Sequence, residues 1–179
     1  MIANEVVDYA YKERRSCFLF NVDFEKAYDK VNWNFLRFLL KEMGFGEVWM
    51  GWMELMVFQS KMPILVNGSP TKEFKVECGL RKGDPLSPFL FVIVAEDLTA
   101  LVKKAIVIGE YEGFLINGKC EMDILQFADD TLMIGEGNWK KVWAIKTILK
   151  AFEMVSGLGI NYHKSKLIEI NVTNNLLEA

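Results

Sequence analysis

The sequence predicts an α+β domain in which an antiparallel sheet is backed by helices, with a helical and hairpin insertion. Two observations predict it. Once the insertion from Asn32 to Cys78 and a small hairpin at Asn117-Gly118 are set aside, the segments run strand, helix, strand, strand, helix, strand, the split βαβ or ferredoxin-like order. The 179 residues, 51% of them hydrophobic, also make one domain's length with enough apolar side chains for a sizeable core.

Each element has a local reason. Ile2, Val6 and Ala10 share helical spacing over Ile2–Lys12. Cys17–Val22 is a short run of aromatic and β-branched residues, read as a buried strand. In the insertion, Asn34 is expected to cap a helix with Phe35, Leu39 and Met43 on its apolar face and Gly44 as its stop. Val48–Phe58 continues as a second helix, whose Trp49, Met50, Trp52, Met53 and Met56 read as core or as packing surface for a missing neighbour. Lys61–Val66 and Thr71–Val76 alternate as a hairpin around Asn67-Gly68-Ser69-Pro70. Ser87-Pro88 is an N-cap and first-turn pair, opening a long helix to about Ile106.

Beyond it, Phe114–Ile116 and Lys119-Cys120 flank Asn117-Gly118 as a tight hairpin. Met122–Phe127 and Thr131–Ile134 are strand-like apolar runs. Asn138 is placed to cap a helix carrying Val142, Ile145, Leu149, Phe152 and Val155 on one face and stopping at Gly157. Leu167–Ile170 closes as a strand, and the polar chain after Asn171 is expected to fray.

Between those two apolar runs stands Phe127-Ala128-Asp129-Asp130. Adjacent carboxylates there are costly unless they hold a cation. A hairpin presenting them at its bend suits Mg²⁺, which takes hard oxygen ligands through one or two carboxylates plus substrate phosphates. The tetrad alone also reads as a solvated turn, which Asp favours for backbone reasons. Asp23, ending the strand Cys17–Val22, adds a second carboxylate position. If the two strands are neighbours, Asp23 can meet Asp129, and two metals roughly 3.5–4 Å apart suit an in-line phosphoryl displacement.

Four blocks carry a resemblance. Asp23-Phe24-Glu25-Lys26-Ala27-Tyr28-Asp29-Lys30-Val31, then Gly79-Leu80-Arg81-Lys82-Gly83-Asp84-Pro85-Leu86-Ser87-Pro88, then Phe127-Ala128-Asp129-Asp130 resemble successive blocks of a reverse transcriptase palm, in the family's order. The wording is most similar to the non-LTR, LINE-type retrotransposon enzymes, and Gly157 to Lys166 resembles the block that follows their catalytic hairpin. The blocks lie between Asp23 and Lys166, and the resemblance covers about Ile2 to Ile170.

The resemblance implies a polymerase palm and an RNA-directed DNA polymerase adding deoxynucleotides to a primer 3′-hydroxyl with two Mg²⁺, for which Mn²⁺ could substitute. Asp23 and Asp129 would be the principal metal ligands, Asp130 the third carboxylate, and Phe24 would offer its backbone carbonyl. Tyr28 would be the aromatic floor under the nucleotide sugar, disfavouring a 2′-hydroxyl. Gly83 would let the backbone pass close to nucleotide and template. Lys164 would lie near the triphosphate, with Lys166 close enough to leave that choice open. Implied partners are an RNA template, a DNA primer, dNTPs, and fingers, thumb and endonuclease parts of a parent polyprotein. The chain is expected to be a partial polymerase without its N-terminal fingers blocks and its thumb, in a nuclear or cytoplasmic setting.

One position departs from the family. Lys82 stands where Gln is usual; it keeps donors near the nucleotide but loses the planar amide acceptor and adds a charge. Two rival readings accompany it: an inactive retroelement remnant, and a maturase-like RNA-binding palm.

Composition bounds the rest. A template-primer grip calls for basic surface, yet the net charge is −3, so that surface is expected on parts outside this chain. Cys17, Cys78 and Cys120 show no zinc spacing, and their odd number suits a reducing compartment. The first residues do not resemble a signal peptide. Phe89 to Ile108 is interrupted by Glu96, Asp97, Lys103 and Lys104 and reads as a buried helix, not a membrane span. His163 is the single histidine, so no Ser-His-Asp arrangement exists; it is expected in a solvated loop. Asp29 and Asp84 are expected in turns or caps. Lys140, Lys141, Lys146 and Lys150 are expected on a solvated helix face, and Asn171-Val172-Thr173 is a glycosylation match without consequence in a chain that is not secreted.

Overall fold

The computed structural model describes residues 2–128 and 130–172. Helix α1 (Ile2–Lys12) leads into strand β1 (Cys17–Val22), with the predicted boundaries. A short helix α2 (Ala27–Lys30) follows, one turn that the residue pattern does not announce. Helix α3 (Trp33–Glu42) is capped by Asn32, not Asn34: the Asn32 side-chain oxygen accepts from the N–H groups of Asn34 and Phe35. The buried face is Trp33, Leu36, Leu39 and Leu40, at spacings of three and four, and the expected face residue Met43 is exposed. The stop near Gly44 holds. Gly44 N–H donates to Lys41 O and Phe45 N–H to Leu40 O, closing the last turn.

Helix α4 (Glu47–Met53) runs on into a π-helical turn, Glu54–Phe58. The predicted hairpin is two short ladders: β2 (Lys61–Met62) pairs with β5 (Phe74–Lys75), and β3 (Leu65–Val66) with β4 (Ser69–Pro70), turning at Asn67-Gly68. Helix α5 (Leu86–Val107) begins one residue before the expected Ser87 cap, because the Asp84 carboxylate accepts from the Leu86 N–H at 2.8 Å and Ser87 is buried in the first turn. Among the described residues no helix is long and apolar enough to cross a membrane.

Strands β6 (Phe114–Ile116) and β7 (Cys120–Met122) form the predicted tight hairpin. The expected strand Met122–Phe127 is broken at Asp123, and β8 is Ile124–Phe127. Then come β9 (Asp130–Glu136), α6 (Trp139–Ser156) and β10 (Lys166–Ile170). Asn138 caps α6 by accepting from the Lys140 N–H. Gly157 ends α6 at φ +79, a left-handed conformation that glycine adopts without a Cβ penalty. A Cβ there would lie 2.5 Å from Lys30 O, so the helix end sits directly on the backbone at the end of α2. On α6, Val155 falls outside the buried face, and Lys141 is not solvated: its side chain is 15% exposed and pairs with Glu112.

The four long-paired strands form one antiparallel sheet in the order β10-β1-β9-β8. With α5 between β1 and β8 and α6 between β9 and β10, this is the split βαβ arrangement that the segment order predicted. Alternation along β1 sends Phe18 and Val22 to the core beneath α3, α5 and α6, and Cys17 and Leu19 to a second core under α1 and the β6–β7 hairpin.

Candidate active site

Asp23 is the first residue beyond β1, and backbone bonds fix it to the segment that follows α6. Its N–H donates to Ser165 Oγ at 3.1 Å, and its carbonyl accepts from the Asn161 N–H at 2.8 Å. Glu25 N–H donates to Gly159 O at 2.7 Å, and Phe24 bridges Ile160 between these two bonds. Because Asp23 and Glu25 make the bonds toward that segment, the Phe24 carbonyl between them points the other way, toward the side of β1 where β9 lies. Glu25 is exposed, and its bond to the Lys30 ammonium holds its carboxyl below the ordinary value.

The β8–β9 bend is two residues long: Phe127 pairs with Asp130 across Ala128 and Asp129. Asp129, the expected principal ligand, lies outside the described residues. Ala128 has φ +54, a left-handed conformation that costs an L-residue roughly 1–2 kcal/mol. Such conformations persist where the surroundings enforce them, and they cluster at functional bends. The β1–β9 register ends at Val22 opposite Thr131. Continued by one step, that register would set Asp23 opposite Asp130. Strand alternation puts both on the face of Leu19 and Ile134, where a groove of about 440 Å³ is lined by Ile2, Asn21, Phe127 and Asp130. Phe127 is 83% exposed at its rim.

Among the described residues no group of three His, Cys, Asp or Glu side chains could hold a metal. Those residues give a pair, Asp23 and Asp130, plus the Phe24 carbonyl: an all-oxygen donor set suited to a hard cation. Lys164 reaches the same place, with Nζ 3.9 Å from Asp23 Oδ2. Lys166 lies in β10 opposite Asn21.

The other expected nucleotide contacts lie along the start of α5. Tyr28 is partly buried, its ring stacked on Phe91 at 4.8 Å and 22°, and its carbonyl accepts from the Leu80 N–H. Lys82 Nζ is 3.2 Å from Asp29 Oδ2, both side chains largely exposed, a pair worth about 0–1 kcal/mol. Gly83 has φ +85 with nothing within 4 Å of a Cβ built there, so its conformation, not protein crowding, requires glycine. Asp84 caps α5 as described, and His163 is exposed.

Several residues here escaped the pattern reading. Ser165 sits within the last block and anchors Asp23. Asp123 and Gln126 interrupt an apolar strand, and polar groups buried in such runs find partners: Asp123 pairs with Lys103 at 2.5 Å, and Gln126 bonds to Thr99 and Ala95.

Residues 2–174 match the family model described as reverse transcriptase (RNA-dependent DNA polymerase). The chain is 28% identical over 160 residues to the retrovirus-related Pol polyprotein from type-1 retrotransposable element R2 of Popillia japonica, covering 89% of this chain and 22% of that protein. It is 24% identical over 172 residues to the Pol polyprotein from type-2 retrotransposable element R2DM of Drosophila melanogaster, covering 96% of this chain and 15% of that one. The chain thus spans less than a quarter of these polyproteins. In fold it is similar to telomerase from Candida tropicalis in complex with a TWJ fragment of telomeric RNA, at TM-score 0.68 and 14% identity, over 93% of this chain and 29% of that one.

Proposed function

The chain belongs to the reverse transcriptase (RNA-dependent DNA polymerase) family, among the non-LTR retrotransposon proteins, and on that premise we propose that it is the palm of an RNA-directed DNA polymerase that extends a DNA primer on an RNA template. The observation that supports the proposal is the β1–β9 register, which ends at Val22 opposite Thr131 and leaves Asp23 and Asp130 as the next residues on the two strands. Asp23, the Phe24 carbonyl, Asp130 and Asp129 would hold two Mg²⁺, with Mn²⁺ a substitute. When bound, the ions supply the charge that favours ionisation of the primer hydroxyl and steadies the leaving oxygen.

The chain's own residues supply positioning. Lys164, on the far side of Asp23 from β9, would meet the triphosphate with a flexible ammonium. Tyr28, braced from behind by Phe91, would floor the nucleotide sugar, and Gly83 would shape the turn that leads template and nucleotide past α5. Lys82 would add a donor there, released from Asp29 when nucleotide binds. This Lys82–Asp29 pair also favours a second reading, a copy that keeps the palm but has lost activity; restored synthesis in Lys82→Gln would select it.

Fingers and thumb would come from the parent polyprotein. Val48, Trp52, Leu55 and Met56 recur at helical spacing along α4 and its π-helical turn, each at least 55% exposed, and this apolar stripe supports packing against such a neighbour. The test is RNA-templated primer extension by the parent polyprotein with Asp23→Asn and with Asp129→Asn. Each should abolish extension while leaving the fold intact, since it removes a charge but little volume. Extension that survives either substitution refutes the metal assignment.

A further inference from the structure

The bend that carries Asp129 and Asp130 is reached through β8, and β8 meets the helix layer along a polar seam. Gln126 uses both ends of its carboxamide: its oxygen accepts from Thr99 Oγ1 at 2.8 Å, and its Nε2 donates to Ala95 O at 3.2 Å. At the other end of the strand the Asp123 carboxylate, 6% exposed, accepts from Lys103 Nζ at 2.5 Å and from the Ile124 N–H at 2.8 Å. Ala95, Thr99 and Lys103 are spaced by four and form one stripe of α5. Gln126 also pairs across the sheet with Thr131, which is 2% exposed.

A strand that slips by one residue turns every side chain to the other face. Apolar contacts tolerate small shifts along a helix, whereas an amide needing one donor and one acceptor at fixed places does not. Gln126 lies two residues before Ala128, whose left-handed backbone must be enforced by its surroundings.

Resting on the metal reading above, we propose that Gln126 is a positioning residue: held by Thr99 and Ala95, it sets the register of the β8–β9 bend so that Asp130 is offered toward Asp23. The amide touches no reacting atom and acts through the two residues that follow it into the bend. Losing either partner lets the bend slide or relax, which loosens the cation site before it unfolds the sheet.

The test is Mn²⁺ binding to this chain, read from the electron paramagnetic resonance signal of free Mn²⁺. Wild type should bind, and Asp23→Asn should weaken that binding. Gln126→Leu and Thr99→Val should each weaken Mn²⁺ roughly 10-fold, the low end of the range when groups orienting metal ligands are removed, while Thr99→Ser keeps near wild-type affinity. Leu40→Val, a buried change in α3 remote from the bend, should lower the unfolding midpoint yet leave Mn²⁺ affinity unchanged. Wild-type affinity in folded Gln126→Leu or Thr99→Val, with Asp23→Asn still weakened, overturns the positioning role alone. Affinity that falls equally in Leu40→Val also overturns it. Unaltered binding in Asp23→Asn overturns the metal reading and this inference with it.

Discussion

Tyr28→Ala separates a sugar gate from a packing residue. Complete truncation of a buried aromatic costs about 3–5 kcal/mol, but Tyr28 is only partly buried, which halves that to about 2 kcal/mol. Its stacked contact with Phe91 at 4.8 Å adds about 1 kcal/mol, so the variant should be destabilised by about 3 kcal/mol, measured by urea unfolding of the chain. Tyr28→Phe keeps ring and stack and should lose less than about 1 kcal/mol, because the ring burial is unchanged. The gate concerns the exposed edge of the same ring. In the polymerising polyprotein, Tyr28→Ala should raise ribonucleotide incorporation relative to deoxynucleotide incorporation more than it lowers overall rate, because selectivity built on a clash disappears with the clash. Tyr28→Phe should keep selectivity. A folded Tyr28→Ala polymerase with unchanged selectivity refutes the gate, and a loss of stability well under about 1 kcal/mol refutes the bracing by Phe91.

Two further predictions concern the chain itself. Burial pushes the Cys17 thiol up from 9.0 to about 12, against the pull of Arg15; the folded state therefore holds this proton more tightly, so stability is full below pH 9 and falls as pH rises from there toward 12. Cys17→Val should flatten that alkaline loss in denaturation series, and Tyr111→Phe should remove the part above pH 10, since the buried Tyr111 phenol is raised in the same sense. If, as proposed, the basic grip lies on parts outside this chain, the isolated chain should give little or no primer extension; robust Mg²⁺-dependent extension by the chain alone refutes that division.

Strong local patterns were legible. Cys17–Val22 and Ile2–Lys12 appear with the boundaries their composition implies, and the segment order yields the sheet order β10-β1-β9-β8. The errors arose where two residues competed for one role. Asn32, not Asn34, accepts the first-turn N–H groups of α3, and at α5 the Asp84 carboxylate accepts from the Leu86 N–H where Ser87 was expected to cap. At the candidate site, Asp23 and Asp130 are the residues next to the last β1–β9 pair, Val22 and Thr131, because register is dictated by alternation along β1 and β9. Gln126 and Asp123 were hidden, because their partners Thr99 and Lys103 stand more than 15 residues away and nothing local announces a polar seam. Likewise, the near approach of Lys164 and not Lys166 to Asp23 depends on how the chain after Gly157 folds back over Phe24.

The most direct measurement is anomalous scattering from crystals of this chain soaked in Mn²⁺. A peak is expected between the β1 end and the β8–β9 bend, with Asp23, the Phe24 carbonyl and Asp130 among its ligands at about 2.0–2.2 Å, the range for small divalent cations on oxygen. Asp23 and Asp130 on opposite faces of the sheet, or a soaked crystal whose Mn²⁺ sits elsewhere while this position stays empty, would contradict it.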